Sequence, residues 1–177
     1  MEAVECIATR RSVRKFTDTP IERDAIEKLV HEAQYAPTWK NSQTTRFTAV
    51  TGKAALAQVR AAMPDYNQHS SENAPLLLCV SAVTHRSGYE RDGSATTPLG
   101  EAYTFFDCGA TVQTFCLAAH EAGIGSVIMG IFDVDKVCKI LDLPETEVPV
   151  VLIACGYPAD EPQMPKRRAV DEVLRII

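Results

Sequence analysis

The chain of 177 residues is 46% hydrophobic and carries a formal net charge of −5. That length and apolar content suffice for one ordinary domain with a substantial core, and the mild acidity argues against general nucleic-acid binding, which selects strongly basic domains. The longest apolar runs, PLLLCV and VVLIACG, fall far short of the roughly 20 residues a membrane span needs. No apolar stretch follows the early basic cluster as a secretory signal requires, so a cytoplasmic protein is expected.

In chain order, MEAVECIATRRS places Val4, Ile7 and Ala8 at helical spacing. TPIERDAIEKLVHEAQYAP opens with a capping box, Thr19 as cap and Glu22 three residues on, with Pro20 at the first helical position. Its apolar stripe Ile21, Ile26, Leu29, Val30, Ala33 runs until Pro37 stops it. RFTAVT reads as a strand, GKAALAQVRAAM as a helix and APLLLCVSAV as a buried strand. From Glu101 to about Ala122 comes the longest helix, apolar on nearly every face, which predicts a helix enclosed by the protein. SVIMG and VPVVLIACGYP read as strands, with a short helix capped by Asp133 between them. Without an internal repeat or a Pro/Gly-rich linker, residues 1–177 are expected to form one domain, an α/β or α+β sandwich with a central helix.

Most familiar chemical motifs fail. GIGSVIMG imitates a dinucleotide fingerprint, but its spacing is wrong and a strand follows it. Phosphate-loop and nucleophile-elbow motifs are missing, and His31, His69, His85 and His120 lie at no metal-ligand spacing, so no metal is expected. The six cysteines are spread through apolar segments and read as buried reduced thiols. Chemistry is therefore expected from an organic cofactor. RRSVRKF, at Arg10 to Phe16, concentrates Arg10, Arg11, Ser12, Arg14 and Lys15 in an acidic protein, and Arg forks with a hydroxyl suit a phosphate monoester. PKRR follows at Pro165 to Arg168, and the polar stretch APTWKNSQTTRF lies between a helix and a strand, where loops commonly carry ligand contacts.

These stretches, in this order, resemble the nitroreductase family of FMN-dependent oxidoreductases along essentially the whole chain. The matching motifs are RRSVRKF, APTWKNSQ before a strand, LAAHEAGIG at the end of the central helix, and GYPADEPQMPKRR. The resemblance implies an α+β fold with a central, mainly antiparallel sheet flanked by helices and a long buried central helix. It implies FMN as cofactor, NADH or NADPH as co-substrate, and a homodimer with FMN at the subunit interface. It further implies that Arg10, Ser12 and Arg14 contact the flavin phosphate, ribityl chain and pyrimidine edge, with Arg11 flanking them, and that Lys166 and Arg168 reach the phosphate. Pro37, Thr38, Trp39 and Asn41 match the loop that crosses to the neighbouring subunit's flavin. Asn67, eight residues before Pro75, matches an Asn near the flavin edge, and Met129 and Gly130 match the turn whose backbone N–H groups approach the hydride-accepting nitrogen. Trp39 departs from the small residues frequent there and either stacks on the flavin or narrows the substrate site, while Tyr89 lines the 84–100 loop, a candidate cover.

The implied activity is two-electron, ping-pong transfer from a nicotinamide through the flavin to a nitroaromatic, quinone or similar acceptor, without an acid or base from the protein. A non-catalytic FMN carrier or redox sensor, and a flavin-fragmenting or dehalogenating member of the same family, are the alternatives.

Overall fold

The computed structural model describes residues 1–177. Its elements are α1 (Ala3–Thr9), α2 (Arg23–Ala33), β1 (Thr45–Val50), α3 (Lys53–Arg60), α4 (Asp65–Ser70), β2 (Leu76–Val83), α5 (Ala102–Glu121), β3 (Gly125–Met129), α6 (Val134–Leu141) and β4 (Glu147–Gly156). The four strands form one sheet in the order β1-β2-β4-β3 with every neighbour antiparallel. Leu77 lies opposite Val50 on one side and Ala154 on the other. The β2–β4 register shifts between Val80 and Ser81, where Pro149 stands opposite Ser81; proline has no N–H for the ladder, and a bulge is where a strand tolerates it.

Both sheet faces are covered, so β2 reads as a continuous apolar run and not as an alternation. Leu76, Leu78 and Val80 pack with Leu29 of α2 and with Cys108, Val112, Phe115 and Ala119 of α5. Leu77 and Cys79 face the other way, onto Leu56 and Val59 of α3 and Val137 of α6. Phe115 is fully buried in the first layer, and truncating such a ring costs about 3–5 kcal/mol.

Two expectations are corrected here. The Thr19–Glu22 capping box does not form: α2 begins at Arg23, with Glu22 extended at the cap and no side-chain cap bond. The preceding chain is held extended by pairing with the segment after β4, since Thr17 N–H donates to Tyr157 O and Ala159 N–H to Lys15 O, both at 2.9 Å, and Ile21 is buried in the core before the helix starts. Nor is α5 enclosed on all sides. Its buried face rests on the sheet and α2, whereas Phe105, Gly109 and Gln113 are exposed and Phe106 is 68% accessible. A layered fold with a single sheet covers a helix from one side only. The Asp133 cap forms as read, its carboxylate accepting from Lys136 N–H at 3.1 Å.

Candidate functional site

The basic segment after α1 lies where it does because two apolar residues anchor it. Ser12 pairs in parallel with Ser126 of β3, an edge strand, and Val13 N–H donates to Ser126 O at 3.0 Å. Val13 and Phe16 are buried in the α3–α6 layer, while α1 holds to α5 through Cys6 Sγ and Leu117 O. The segment thus wraps the β3 edge, which also protects it from further pairing. Val13 lies so close to Gly125 that a Cβ there would fall 2.7 Å from Val13 Cγ2; only glycine permits this approach.

Between these anchors, Arg10, Arg11, Ser12 and Arg14 line a cavity of about 230 Å³ whose other wall includes Gln163, Pro165 and Arg167. Its lining holds four guanidinium groups and no carboxylate, and none of the four forms an ion pair within 4.0 Å. Arg11 Nη1 instead donates to Ala8 O and Arg10 O, and Arg14 Nη1 to Ser12 O. Such a donor set fits a phosphate monoester, whose charge would offset the mutual repulsion of the arginines. The late residue on this wall is Arg167. Lys166 and Arg168 are exposed outside it, and Arg168 Nη1 lies 3.9 Å from Glu172. Residues 161–169 have no regular hydrogen bonding.

His120 of α5 borders this region. Its Nε2 lies 2.9 Å from Thr9 Oγ1, and it lines an adjoining cavity of about 510 Å³ with Arg11 and Gly125. Burial first, then the charges of Arg10 and Arg11, hold its imidazole below the usual pKa. Neither His120 nor Arg167 was singled out as a site residue, although Arg167 lies within PKRR and His120 within LAAHEAGIG.

A second group forms around the turn after Pro37, which is itself exposed. Trp39–Asn41 make a single 3₁₀ turn, and Lys40, Asn41 and Gln43 have φ of 45°, 55° and 48°. Left-handed backbone at non-glycine residues is uncommon and persists only where surroundings enforce it. Asp107 of α5, 1% accessible, enforces it here: its Oδ2 accepts from Trp39 N–H at 2.9 Å, Ser42 Oγ at 3.4 Å and Ser87 Oγ at 2.6 Å. Asp107 was missed because a lone acidic residue in a helix carries no signal of its partners. The Trp39 indole packs on Tyr103 with centroids 4.3 Å apart, and its Nε1 is buried without an acceptor. Trp39, Asn41 and Tyr89 share a cavity of about 560 Å³; Thr38 lines a separate one of about 380 Å³ with Gln43 and Arg46. The Arg10 and Trp39 cavities share no lining residue.

A third group joins α4, a helix whose sequence, DYNQHS, lacks the apolar repeat that would have revealed it. Asn67 is buried there, and its Nδ2 donates to Ile131 O at 2.9 Å, tying α4 to the turn after Met129 and Gly130. Met129 is buried and Gly130 exposed, with open space where a Cβ would stand.

The cysteines are unbridged, and all but the half-buried Cys138 are buried. Burial pushes the Cys79 thiol up to about 12 and Cys108 to about 11, so neither is a nucleophile at neutral pH.

A protein of Methanothermobacter thermautotrophicus with the provisional name NADH dehydrogenase/NAD(P)H nitroreductase is 27% identical over 168 residues, 92% of this chain and 80% of that protein. The FMN reductase (NADPH) of Bacillus subtilis is 25% identical over 180 residues, 96% of this chain and 72% of that one. An FMN complex from Exiguobacterium sibiricum, provisionally named a nitroreductase, superposes with a TM-score of 0.87 over 100% of this chain and 98% of that one; at 18% identity the likeness is one of fold. The Nitroreductase family model matches residues 7–157, from α1 through the end of β4, and the chain belongs to the nitroreductase family.

Proposed function

We propose that the protein is an FMN-dependent oxidoreductase that transfers hydride from NADH or NADPH to an electron-poor acceptor such as a nitroaromatic or quinone. The observation that carries this reading is the cavity in which Arg10, Arg11, Arg14 and Arg167 meet without a counter-ion beside the Ser12 hydroxyl. Bound flavin would supply the ring that takes up and gives back the hydride. The arginines would hold its phosphate, with Ser12 as a further donor. The Met129–Gly130 turn, steadied by Asn67, has open space for a ligand at Gly130. Trp39 and Tyr89 would wall the face on which donor and acceptor stack, exclude water from it and select the acceptor. One stacking face serves donor and acceptor only in turn, which makes the kinetics ping-pong.

In this reading the protein acts as a homodimer. Support comes from the separation of the Arg10 and Trp39 groups within one chain, from the orphaned Trp39 Nε1, and from apolar residues left exposed: Leu99, Phe105 and Phe106 beside α5, and Val173, Leu174, Ile176 and Ile177 at the chain end. Contiguous exposed apolar surface usually marks an interface. No helix is long and apolar enough to cross a membrane, and six unbridged thiols suit the reducing cytoplasm in which we place the protein.

The test is a visible spectrum of the purified protein followed by anaerobic addition of each nicotinamide. A flavin spectrum that bleaches with NADH or NADPH is expected. A loaded, folded protein that neither donor bleaches would reject the reductase reading in favour of a flavin carrier. Light scattering of the loaded protein gives a dimer; an active monomer would overturn the shared-site assignment.

A further inference from the structure

The segment between β2 and α5 is pinned at its middle. Ser87 and Gly88 are buried, Ser87 Oγ donates to Asp107, and Gly88 O accepts from Thr96 N–H at 2.9 Å. Arg86 and Arg91 flank this anchored point. Both are exposed, both line the 560 Å³ cavity with Trp39, Asn41 and Tyr89, and neither has an ion pair within 4.0 Å or a side-chain hydrogen bond.

The nearby carboxylates are already engaged. Glu90 accepts from Lys40 Nζ at 2.7 and 2.9 Å and from Thr96 Oγ1 at 2.9 Å. Asp92 accepts from Ser94 N–H and Oγ at 3.0 and 2.6 Å, and Glu101 accepts from His85 N–H at 3.0 Å. The pinned loop therefore holds two guanidinium groups with free donors and no ion pair beside the Trp39–Tyr89 wall, although the charge of Asp92, met only by neutral Ser94 donors, remains nearby.

We propose that Arg86 and Arg91 bind the 2′-phosphate of NADPH and make NADPH the preferred donor. The inference rests on the reductase reading. NADPH differs from NADH only in this monoester, which carries close to two negative charges near pH 7. Guanidinium forks hold such a group through paired charge-assisted hydrogen bonds, whereas the NADH hydroxyl at the same place offers no charge to meet them. Because both arginines are exposed, the preference weakens as salt rises.

Flavin-loaded wild type and an Arg86→Gln/Arg91→Gln variant are titrated calorimetrically with 2′,5′-ADP and with 5′-AMP, and kcat/KM is measured for both nicotinamides. Wild type binds 2′,5′-ADP at least about tenfold more tightly than 5′-AMP, the scale of one charge-assisted contact. In the variant that preference and the NADPH-to-NADH ratio of kcat/KM fall together, while the flavin spectrum is retained. Equal affinities in wild type, or a preference unchanged in the variant, would overturn the assignment. Bleaching by both donors without preference counts against the arginine pair alone; bleaching by neither counts against the reductase reading beneath it.

Discussion

Thr9 and His120 determine each other's protons. Thr9 has one hydroxyl hydrogen to share between Glu5 O at 2.7 Å and His120 Nε2 at 2.9 Å; when Glu5 O takes it, the Thr9 oxygen accepts from His120 Nε2–H. In that arrangement the neutral imidazole beside the arginine cavity is the Nε2–H tautomer, with Nδ1 as the site of titration; in the converse one the hydroxyl donates to Nε2 and Nδ1 carries the hydrogen.

The pKa of His120 is lowered by burial and then by Arg10 and Arg11, two of the cavity's cations. An anion in that cavity offsets their field, so the pKa rises on binding and binding takes up a fraction of a proton at pH values between the two pKa values. Following the His120 ring by NMR titration, with and without saturating FMN or inorganic phosphate, should show a midpoint below the usual histidine value when free and an upward move when bound. A midpoint indifferent to the anion would separate His120 from the phosphate site.

Arg167, which lines the arginine cavity, should outrank its neighbours in holding flavin. Arg10→Ala and Arg167→Ala should each weaken flavin binding by about 1.5–3 kcal/mol, the worth of a hydrogen bond to a charged group. Arg168→Ala, at an exposed residue facing Glu172, should cost much less. Dissociation constants from fluorescence quenching decide it, and the reverse ranking would return the late phosphate contact to Arg168.

Asp107 is the keystone of the Trp39 turn. Asp107→Ala removes the acceptor of Trp39 N–H, whose orphaning costs about 1–3 kcal/mol, and forces Ser87 Oγ to turn to Ser42 Oγ at 2.7 Å. Asp107→Asn keeps one acceptor oxygen and should lose less. Denaturant unfolding measures both, and Trp39, the only tryptophan, reports the turn directly through its emission. Equal stability of Asp107→Ala and wild type would remove Asp107 from this role.

Gly88 and Gly93 share a left-handed backbone, φ 85° and 83°, but not their surroundings. A Cβ on Gly88 would fall 2.1 Å from Gly100 O, a backbone atom that cannot swing aside, whereas Gly93 faces open space. Gly93→Ala should cost about 1 kcal/mol of backbone strain. Gly88→Ala should cost more and release the loop to limited proteolysis within 84–100. Similar cleavage rates in the two variants would show that the loop is not pinned at Gly88.

Much of the fold was legible because its elements are long and periodic. The stripes of α2 and α3, the apolar run of β2 and the Asp133 cap announce themselves locally. The arginine cluster was legible for a similar reason, since Arg10, Arg11, Ser12 and Arg14 are nearly contiguous and a charged run in an acidic chain needs no tertiary information to be noticed. The Thr19–Glu22 box looked equally local and failed, because pairing of residues 15–17 with 157–159 extended the chain past the cap.

The amino-acid sequence by itself determined the period of most elements, though not of α4 or the open face of α5, and with it most of the residues that face a core, along with the family to which the motifs belong. Only the tertiary structure decided which distant polar groups meet: Arg167 with Arg10, Thr9 with His120, Trp39 and Ser87 with Asp107. Burial of apolar side chains is roughly proportional to area and non-directional, so its pattern is written along the chain. Hydrogen bonds and charge contacts depend on distance and angle between residues far apart in sequence, and those geometries exist only after the sheet and α5 have packed.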